Sequence, residues 1–122
     1  MPSPIREPRA GADARPARYA PSRSGPRPYT VGFYLVPEFP MMAFAAAIEP
    51  LRAANRLSGE TLFAWRLFSH DGDPVRASNG IDMAVGGSIG EDAALDLLLV
   101  CAGTPDAGAR DRPLAQWLRG LV

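Results

Sequence analysis

Residues 31–59 read VGFYLVPEFPMMAFAAAIEPLRAANRLSG, and this stretch decides the fold. Val31 to Val36 is apolar on both alternating faces, the pattern of a strand covered on two sides in a parallel sheet. Pro37 ends the strand, and Pro40 stands where the first turn of a helix tolerates a residue without an N–H. From Met41 to Leu57 the composition is helical, with almost no polar interruption before Glu49. Met41, Phe44, Ala45, Ile48 and Leu51 or Arg52 follow the i, i+3, i+4, i+7 spacing of one helix face. Ala43, Ala45, Ala46, Ala47, Ala53 and Ala54 make a slim helix that a sheet or a second helix can approach closely. Pro50 removes the hydrogen bond to the carbonyl of Ala46, which predicts a kink. Glu49 and Arg52 are three apart and can pair on the surface, and Gly59 suits a left-handed cap. The loop Pro37–Pro40, with the acidic Glu38, therefore falls at the carboxyl end of a central strand, where open α/β sheets hold ligands.

Outward from this unit, Phe63 to Ser69 (FAWRLFS) is a second strand, and His70–Asp71–Gly72–Asp73–Pro74 turns away from it. Asn79–Gly80 is a strong hairpin signal, so Val75–Ala77 and Ile81–Val85 are expected to form a small antiparallel ribbon. Gly86 to Ala94 reads as loop or a short helical turn. Asp96 to Cys101 (DLLLVC) is a third buried strand, followed by Ala102–Gly103–Thr104–Pro105. Pro113 to Leu121 begins another helix, with Leu114, Trp117, Leu118 and Leu121 on one face. Strand–helix–strand–ribbon–strand–helix is a parallel α/β pattern, and right-handed crossovers place the first and third strands centrally. The expected architecture is an incomplete three-strand core with a small antiparallel ribbon and flanking helices.

At 122 residues there is room for one domain at most. The formal charge is zero, so bulk electrostatics does not point to nucleic acid. Residues 1–28 nevertheless carry six Arg against Glu7 and Asp13, a basic tail with seven prolines. This Pro/Arg-rich tail is too poor in apolar residues to offset its ordering entropy and is expected to be disordered. One cysteine, Cys101, excludes an internal disulfide and fits a reducing cytoplasm. No apolar run approaches the roughly 20 residues of a membrane span, so a soluble cytoplasmic protein without membrane contact is expected. A lone His70 without a second imidazole or a nearby thiol makes no metal site, and no cofactor motif is present.

VGFYLVPEFPMMAFAAAIEPLRAANRLSG, WRLFSHDGDPVRASNGIDM and LDLLLVCAG together resemble the amino-terminal domain of GlxA-type AraC-family regulators. In these transcription factors a ThiJ/PfpI domain, related to class I glutamine amidotransferases, precedes a double helix-turn-helix. The resemblance covers residues 30 to about 122. It implies a flavodoxin-like sheet, a homodimer, and sensing of a small-molecule effector, often nitrogen-containing, such as an amine or amino acid. It also implies DNA binding only through a carboxy-terminal helix-turn-helix domain that these residues do not include, so a truncated sensor domain of about residues 29–122 is expected.

The same resemblance frames the candidate residues. The superfamily's nucleophile elbow, a strand–Cys–helix turn, would follow the Trp117 helix, beyond this sequence. Cys101 falls on the strand before it and reads as a buried structural thiol, since nothing there lowers its pKa. The superfamily's catalytic glutamate aligns at or near Ala43, which is neither acid nor base. No catalytic residue is therefore assigned, and the domain is read as non-catalytic. A ThiJ/PfpI-type hydrolase or amidase fragment and an inactive remnant are the alternatives. The residues expected to bind the effector are Glu38, Phe39, Met41, Met42, Gly103 and Thr104, placed by the strand-end rule and by the resemblance. Glu38 would accept an amine or guanidinium, and Gly103 and Thr104 would face the same crevice as the Pro37–Met42 loop. Core packing competes for Met41, Met42 and Phe44. Arg66, mid-strand, needs a partner if it turns inward.

Overall fold

The computed structural model describes residues 27–103 and 112–121. Thr104 and almost all of the tail expected at 1–28 fall outside them. Arg27 and Pro28 are described: Arg27 Nη2 donates to Asp96 Oδ1 at 2.6 Å, and the Pro28 carbonyl accepts from Thr30 Oγ1.

Eight elements follow in chain order: β1 (Tyr29–Leu35), α1 (Met41–Ser58), β2 (Phe63–Ser69), β3 (Val75–Arg76), β4 (Asp82–Met83), β5 (Gly87–Ser88), β6 (Leu97–Cys101) and α2 (Arg112–Gly120). The main sheet has the order β5-β2-β1-β6 with every pairing parallel. β1 is central, as its two-sided apolar pattern requires, but the other inner strand is β2, and β6, expected to be central too, takes the outer position beside β1. The four-strand α/β sheet confirms the parallel fold class, with one strand more than the expected three.

The two faces of β1 build two cores. Val31, Phe33 and Leu35 pack with Phe44, Ile48 and Leu51 of α1 on one side. Tyr34 and Val36 meet Phe68, Leu114 and Trp117 of α2 on the other. The helices thus cover opposite faces, the doubly wound arrangement. Gly32 belongs to the second face and leaves no room for a side chain: a Cβ there would lie 2.6 Å from Leu95 Cδ1. Phe33 and Phe44 meet edge to face at 5.3 Å, a favoured geometry for aromatic rings.

Local chemistry fixes the ends of the elements. α1 runs from Met41 to Ser58 through Pro50, and Gly59 caps it at φ 72° with its N–H on the Asn55 carbonyl. Asn55 also exchanges two hydrogen bonds with the backbone of Phe63, at 2.8 and 2.9 Å, which docks the end of α1 on the start of β2. Asp96 sets the register of β6. Its carboxylate accepts from Thr30 N at 2.7 Å, and its own N–H donates to the Thr30 carbonyl at 2.8 Å.

Two loop readings are corrected. The ribbon β3–β4 is shorter than expected, because the Asn79–Gly80 hairpin closes through a wider turn. Gly80 N donates to the Ala77 carbonyl, Gly80 alone takes a positive φ (85°), and Asn79 Oδ1 accepts from Ile81 N. The segment expected as loop from Gly86 contains β5, which pairs with Phe68 and Ser69. Gly87 permits that approach, since a Cβ would stand 2.9 Å from the Phe68 ring.

Candidate functional site

β1 and β6 end side by side where the strand order turns, with helices on opposite faces of the sheet. Val36 N donates to the Cys101 carbonyl at 3.0 Å, holding the two ends together, and Phe39 N closes a turn onto the Val36 carbonyl. Between them Glu38 adopts φ 69°, and no other non-glycine residue described has a positive φ. This left-handed conformation costs an L-residue about 1–2 kcal/mol. The ribbon holds it in place: Glu38 N donates to the Arg76 carbonyl at 2.8 Å, and Ser78 N donates to the Phe39 carbonyl at 3.0 Å. Phe39 and Ala77 form a parallel bridge beside these bonds. The Glu38 side chain is exposed.

The expected site residues separate into two groups. Gly103 packs against the backbone of the Glu38 loop: a Cβ on Gly103 would lie 3.0 Å from the Glu38 carbonyl oxygen and 3.2 Å from Pro40 Cδ. Phe39 does not line the crevice. It has no exposed surface and packs edge to face on Phe44 at 6.2 Å, because the turn at Glu38 swings its ring under the loop into the core. Met41 is partly buried against that core, whereas Met42 is 83% exposed on the outer side of α1. Thr104 lies outside the described residues. Gly103→Ala is expected to push the Glu38 loop outward and lower stability by about 1–2 kcal/mol, seen as a lower urea midpoint; an unchanged midpoint would show that the loop yields freely.

Cys101 is buried, and burial pushes its thiol pKa above the ordinary value of 9.0. That is opposite to the shift a nucleophile needs. The sign for stability follows: the unfolded thiol ionises first, so folding loses free energy as pH rises past about 9 toward the folded value. Cys101→Ala is expected to flatten that alkaline decline, measured by urea unfolding between pH 7 and 10.

Three features escaped the sequence reading. A cavity of about 390 Å³ opens beside the site at the ends of β1 and β2, lined by Pro37, Ser69, His70, Asp71, Asp73 and Arg76 among others. Ser69 Oγ donates to the Asp73 carbonyl at 2.8 Å, and Asp71 Oδ1 accepts from Asp73 N at 3.0 Å, so the turn after β2 is rigidly braced. Arg76 Nε donates to Asp82 Oδ1 at 2.9 Å, and this hydrogen bond holds the Asp82 carboxyl below the usual carboxylate range and raises Arg76. The Ser69 and Asp71 bonds are local to the turn after β2, and Arg76 and Asp82 are cross-strand partners within the ribbon. Arg66 has its partner in Glu91 at 3.2 Å and lies over the Phe68 ring at 4.9 Å. Glu49 and Arg52 pair on the surface of α1 at 2.6 Å, as read. Among the described residues no three His, Cys, Asp or Glu side chains come together to hold a metal, and no helix is long and apolar enough to cross a membrane.

No family model matches the chain. The HTH-type transcriptional regulator CdhR of Pseudomonas aeruginosa is 44% identical over 89 residues, covering 73% of this chain and 26% of CdhR. GbdR of the same species is 40% identical over 76 residues, 62% of this chain and 21% of GbdR. GlxA of Rhizobium meliloti is 37% identical over 73 residues, 60% of this chain and 22% of GlxA. The chain therefore spans about a quarter of the length of the curated relatives it matches. Among solved structures, an AraC family transcriptional regulator from Pseudomonas putida superposes with a TM-score of 0.65 at 32% identity, over 76% of this chain and 57% of that one. A putative transcriptional regulator from Vibrio parahaemolyticus shares the fold, with a TM-score of 0.62 at 15% identity over 78% of this chain and 51% of that one. By sequence and by fold, this chain is similar to a part of AraC-type HTH transcriptional regulators.

Proposed function

We propose that the chain is the amino-terminal part of a ThiJ/PfpI-like, ligand-sensing and dimerising domain of a GlxA-type regulator that works in the cytoplasm. DNA would be read in the major groove by a helix-turn-helix domain outside these residues. The observation that supports this reading is the close packing of Gly103 against the backbone of the Glu38 loop at the ends of β1 and β6. A carboxylate held on a left-handed turn at that crevice suits a protonated amine or guanidinium, and a charge-assisted hydrogen bond supplies the affinity. Pro37, Pro40 and the partly buried Met41 would wall the site, and Thr104 would close it after Gly103. The role first given to Phe39 becomes support of the loop from below.

The domain is read as non-catalytic. Ala43 is exposed and has no acid to offer, and the Cys101 thiol is buried with a raised pKa. The reading invokes no cofactor and no metal. Effector binding would favour one arrangement of the Glu38 loop and the ribbon attached to it, a population shift set by differential affinity.

Calorimetry of the purified chain against a panel of small amines and amino acids tests the reading. At least one compound is expected to bind, and Glu38→Gln is expected to weaken it by about tenfold or more. Absence of heat across the panel, or binding indifferent to Glu38→Gln, would remove the sensor site proposed for this crevice.

A further inference from the structure

The Asn79–Gly80 pair at the tip of the ribbon carries a reactivity that turn formation does not use. Asparagine before glycine is the pairing in which a backbone nitrogen most readily attacks a side-chain carboxamide, because glycine sets no side chain in the way. Here both residues are exposed, and a Cβ at Gly80 would meet nothing within 4 Å. The pair also stands beside the bonds that hold the Glu38 loop. Ser78 N donates to the Phe39 carbonyl at 3.0 Å, and Glu38 N donates to the Arg76 carbonyl at 2.8 Å. We propose that Asn79 is a self-modification site, whose conversion to isoaspartate releases the ribbon's hold on the Glu38 loop.

The chemistry needs only water. The Gly80 nitrogen attacks Asn79 Cγ, the Cγ–Nδ2 bond breaks, and the amide nitrogen leaves as ammonia, taking the proton from Gly80 N. Water then opens the cyclic imide, its hydroxyl going to a carbonyl carbon and its proton to the Gly80 nitrogen. Opening at Cγ gives aspartate. Opening at the Asn79 main-chain carbonyl carbon gives isoaspartate, whose main chain runs through Cγ and is longer by a methylene. The fold sets when this happens. In the closed turn Gly80 N keeps its proton on the Ala77 carbonyl at 3.0 Å, and Ile81 N holds Asn79 Oδ1 at 3.0 Å. Attack therefore waits for the turn to open. β3 and β4 pair over two residues each, and such short exposed segments open at far lower cost than a core sheet. Asn55, the other asparagine, makes the contrast: it precedes Arg56, and its side chain is bound to the Phe63 backbone at both ends, at 2.8 and 2.9 Å. Once isoaspartate forms, the turn cannot close as before. Its bonds, Gly80 N to the Ala77 carbonyl and Ala77 N to the Ile81 carbonyl at 2.9 Å, fit one length of chain between Ala77 and Ile81. The added methylene breaks that fit directly after Ser78, and the Ser78 and Glu38 bonds go with it. Glu38 then loses what holds it at φ 69°, a conformation that persists only where its surroundings impose it.

The inference stands apart from the effector reading, and its test needs no effector. The purified, folded chain is held for days at mildly alkaline pH, with a urea-unfolded sample beside it, and both are mapped by tryptic mass spectrometry. The peptide that follows Arg76 has Asn79 as its sole asparagine. In the folded sample that peptide is expected to change from amide to acid with isoaspartate at position 79, while Asn55 stays intact. The isoaspartate form, separated by ion exchange, is then compared with the untreated chain by amide hydrogen exchange. Glu38 and Ser78 are expected to exchange at least about tenfold faster, with the amides shared by β1 and β2 unchanged. The variant Asn79→Asp carries the same charge on an ordinary backbone and should keep Glu38 and Ser78 protected. Conversion of Asn79 in urea alone would overturn the site, since the folded chain would then never reach the reaction. An isoaspartate form with Glu38 and Ser78 as protected as before would overturn the release. Equal loss of protection in Asn79→Asp would overturn the mechanism, because charge rather than a lengthened chain would then open the ribbon.

Discussion

Phe39→Ala is expected to lower the unfolding free energy by about 3–5 kcal/mol, the cost of truncating an enclosed aromatic side chain. Phe39 has no exposed surface, packs in the cluster with Val31, Phe33 and Phe44, and meets the Phe44 ring edge to face. Domains of this size are stable by only about 5–15 kcal/mol, so the variant should sit near its unfolding threshold at room temperature. Urea unfolding measures the effect. Phe39→Leu refills most of the volume and should lose under about 1.5 kcal/mol while retaining effector binding. This separates the two roles open to Phe39. A ligand-lining residue would show a near-normal midpoint and weaker binding in the alanine variant, whereas a core residue shows the reverse order of effects.

Trp117→Ala is expected to have a comparable effect, about 3–5 kcal/mol, through the opposite face of the sheet. Trp117 is 8% exposed and meets Phe68 at 5.2 Å and Tyr34 at 6.2 Å. Its Nε1 donates to the Glu91 carbonyl at 3.2 Å, tying α2 to the segment after β5. Truncation removes the chief contact of a short helix, so amide exchange in α2 should approach the rate of open chain even where the rest of the sheet stays protected. Trp117→Phe keeps the ring packing and gives up the hydrogen bond, with an expected cost of about 1 kcal/mol. A change within about 0.5 kcal/mol for the alanine variant, the size of an ordinary surface substitution, would mean that α2 does not pack where Tyr34 and Phe68 hold it.

Much of the fold was legible because it rests on periodicity and on residues with restricted backbones. The two-sided apolar run of β1 announced a central strand, Gly59 announced the end of α1, and FAWRLFS coincided with β2. β5 was invisible because two residues, one of them glycine, carry no period. The ribbon was visible only as a turn, and its use as a clamp on Glu38 was not, since the bonds from Glu38 N and Ser78 N engage backbone carbonyls and leave no trace in side-chain identity. The strand-end rule places Glu38 and Gly103 beside each other because their positions follow directly from where β1 and β6 stop. It failed at Phe39 because a left-handed residue reverses the direction in which the next side chain points, and a glutamate gives no warning of such a conformation. The cavity beside Arg76 was missed for the same reason: it exists only because the ribbon returns over the strand ends.

The most direct test of the central claim, an effector site at the ends of β1 and β6, is an amide chemical-shift titration of the isotopically labelled chain with the tightest binder from the amine and amino-acid panel. The account predicts that the amides of Glu38, Phe39 and Gly103 shift together and saturate with the calorimetric affinity, with Ser78 following through its hydrogen bond to Phe39. Shifts confined to another part of the surface, with Glu38 and Gly103 unmoved at saturation, would contradict it.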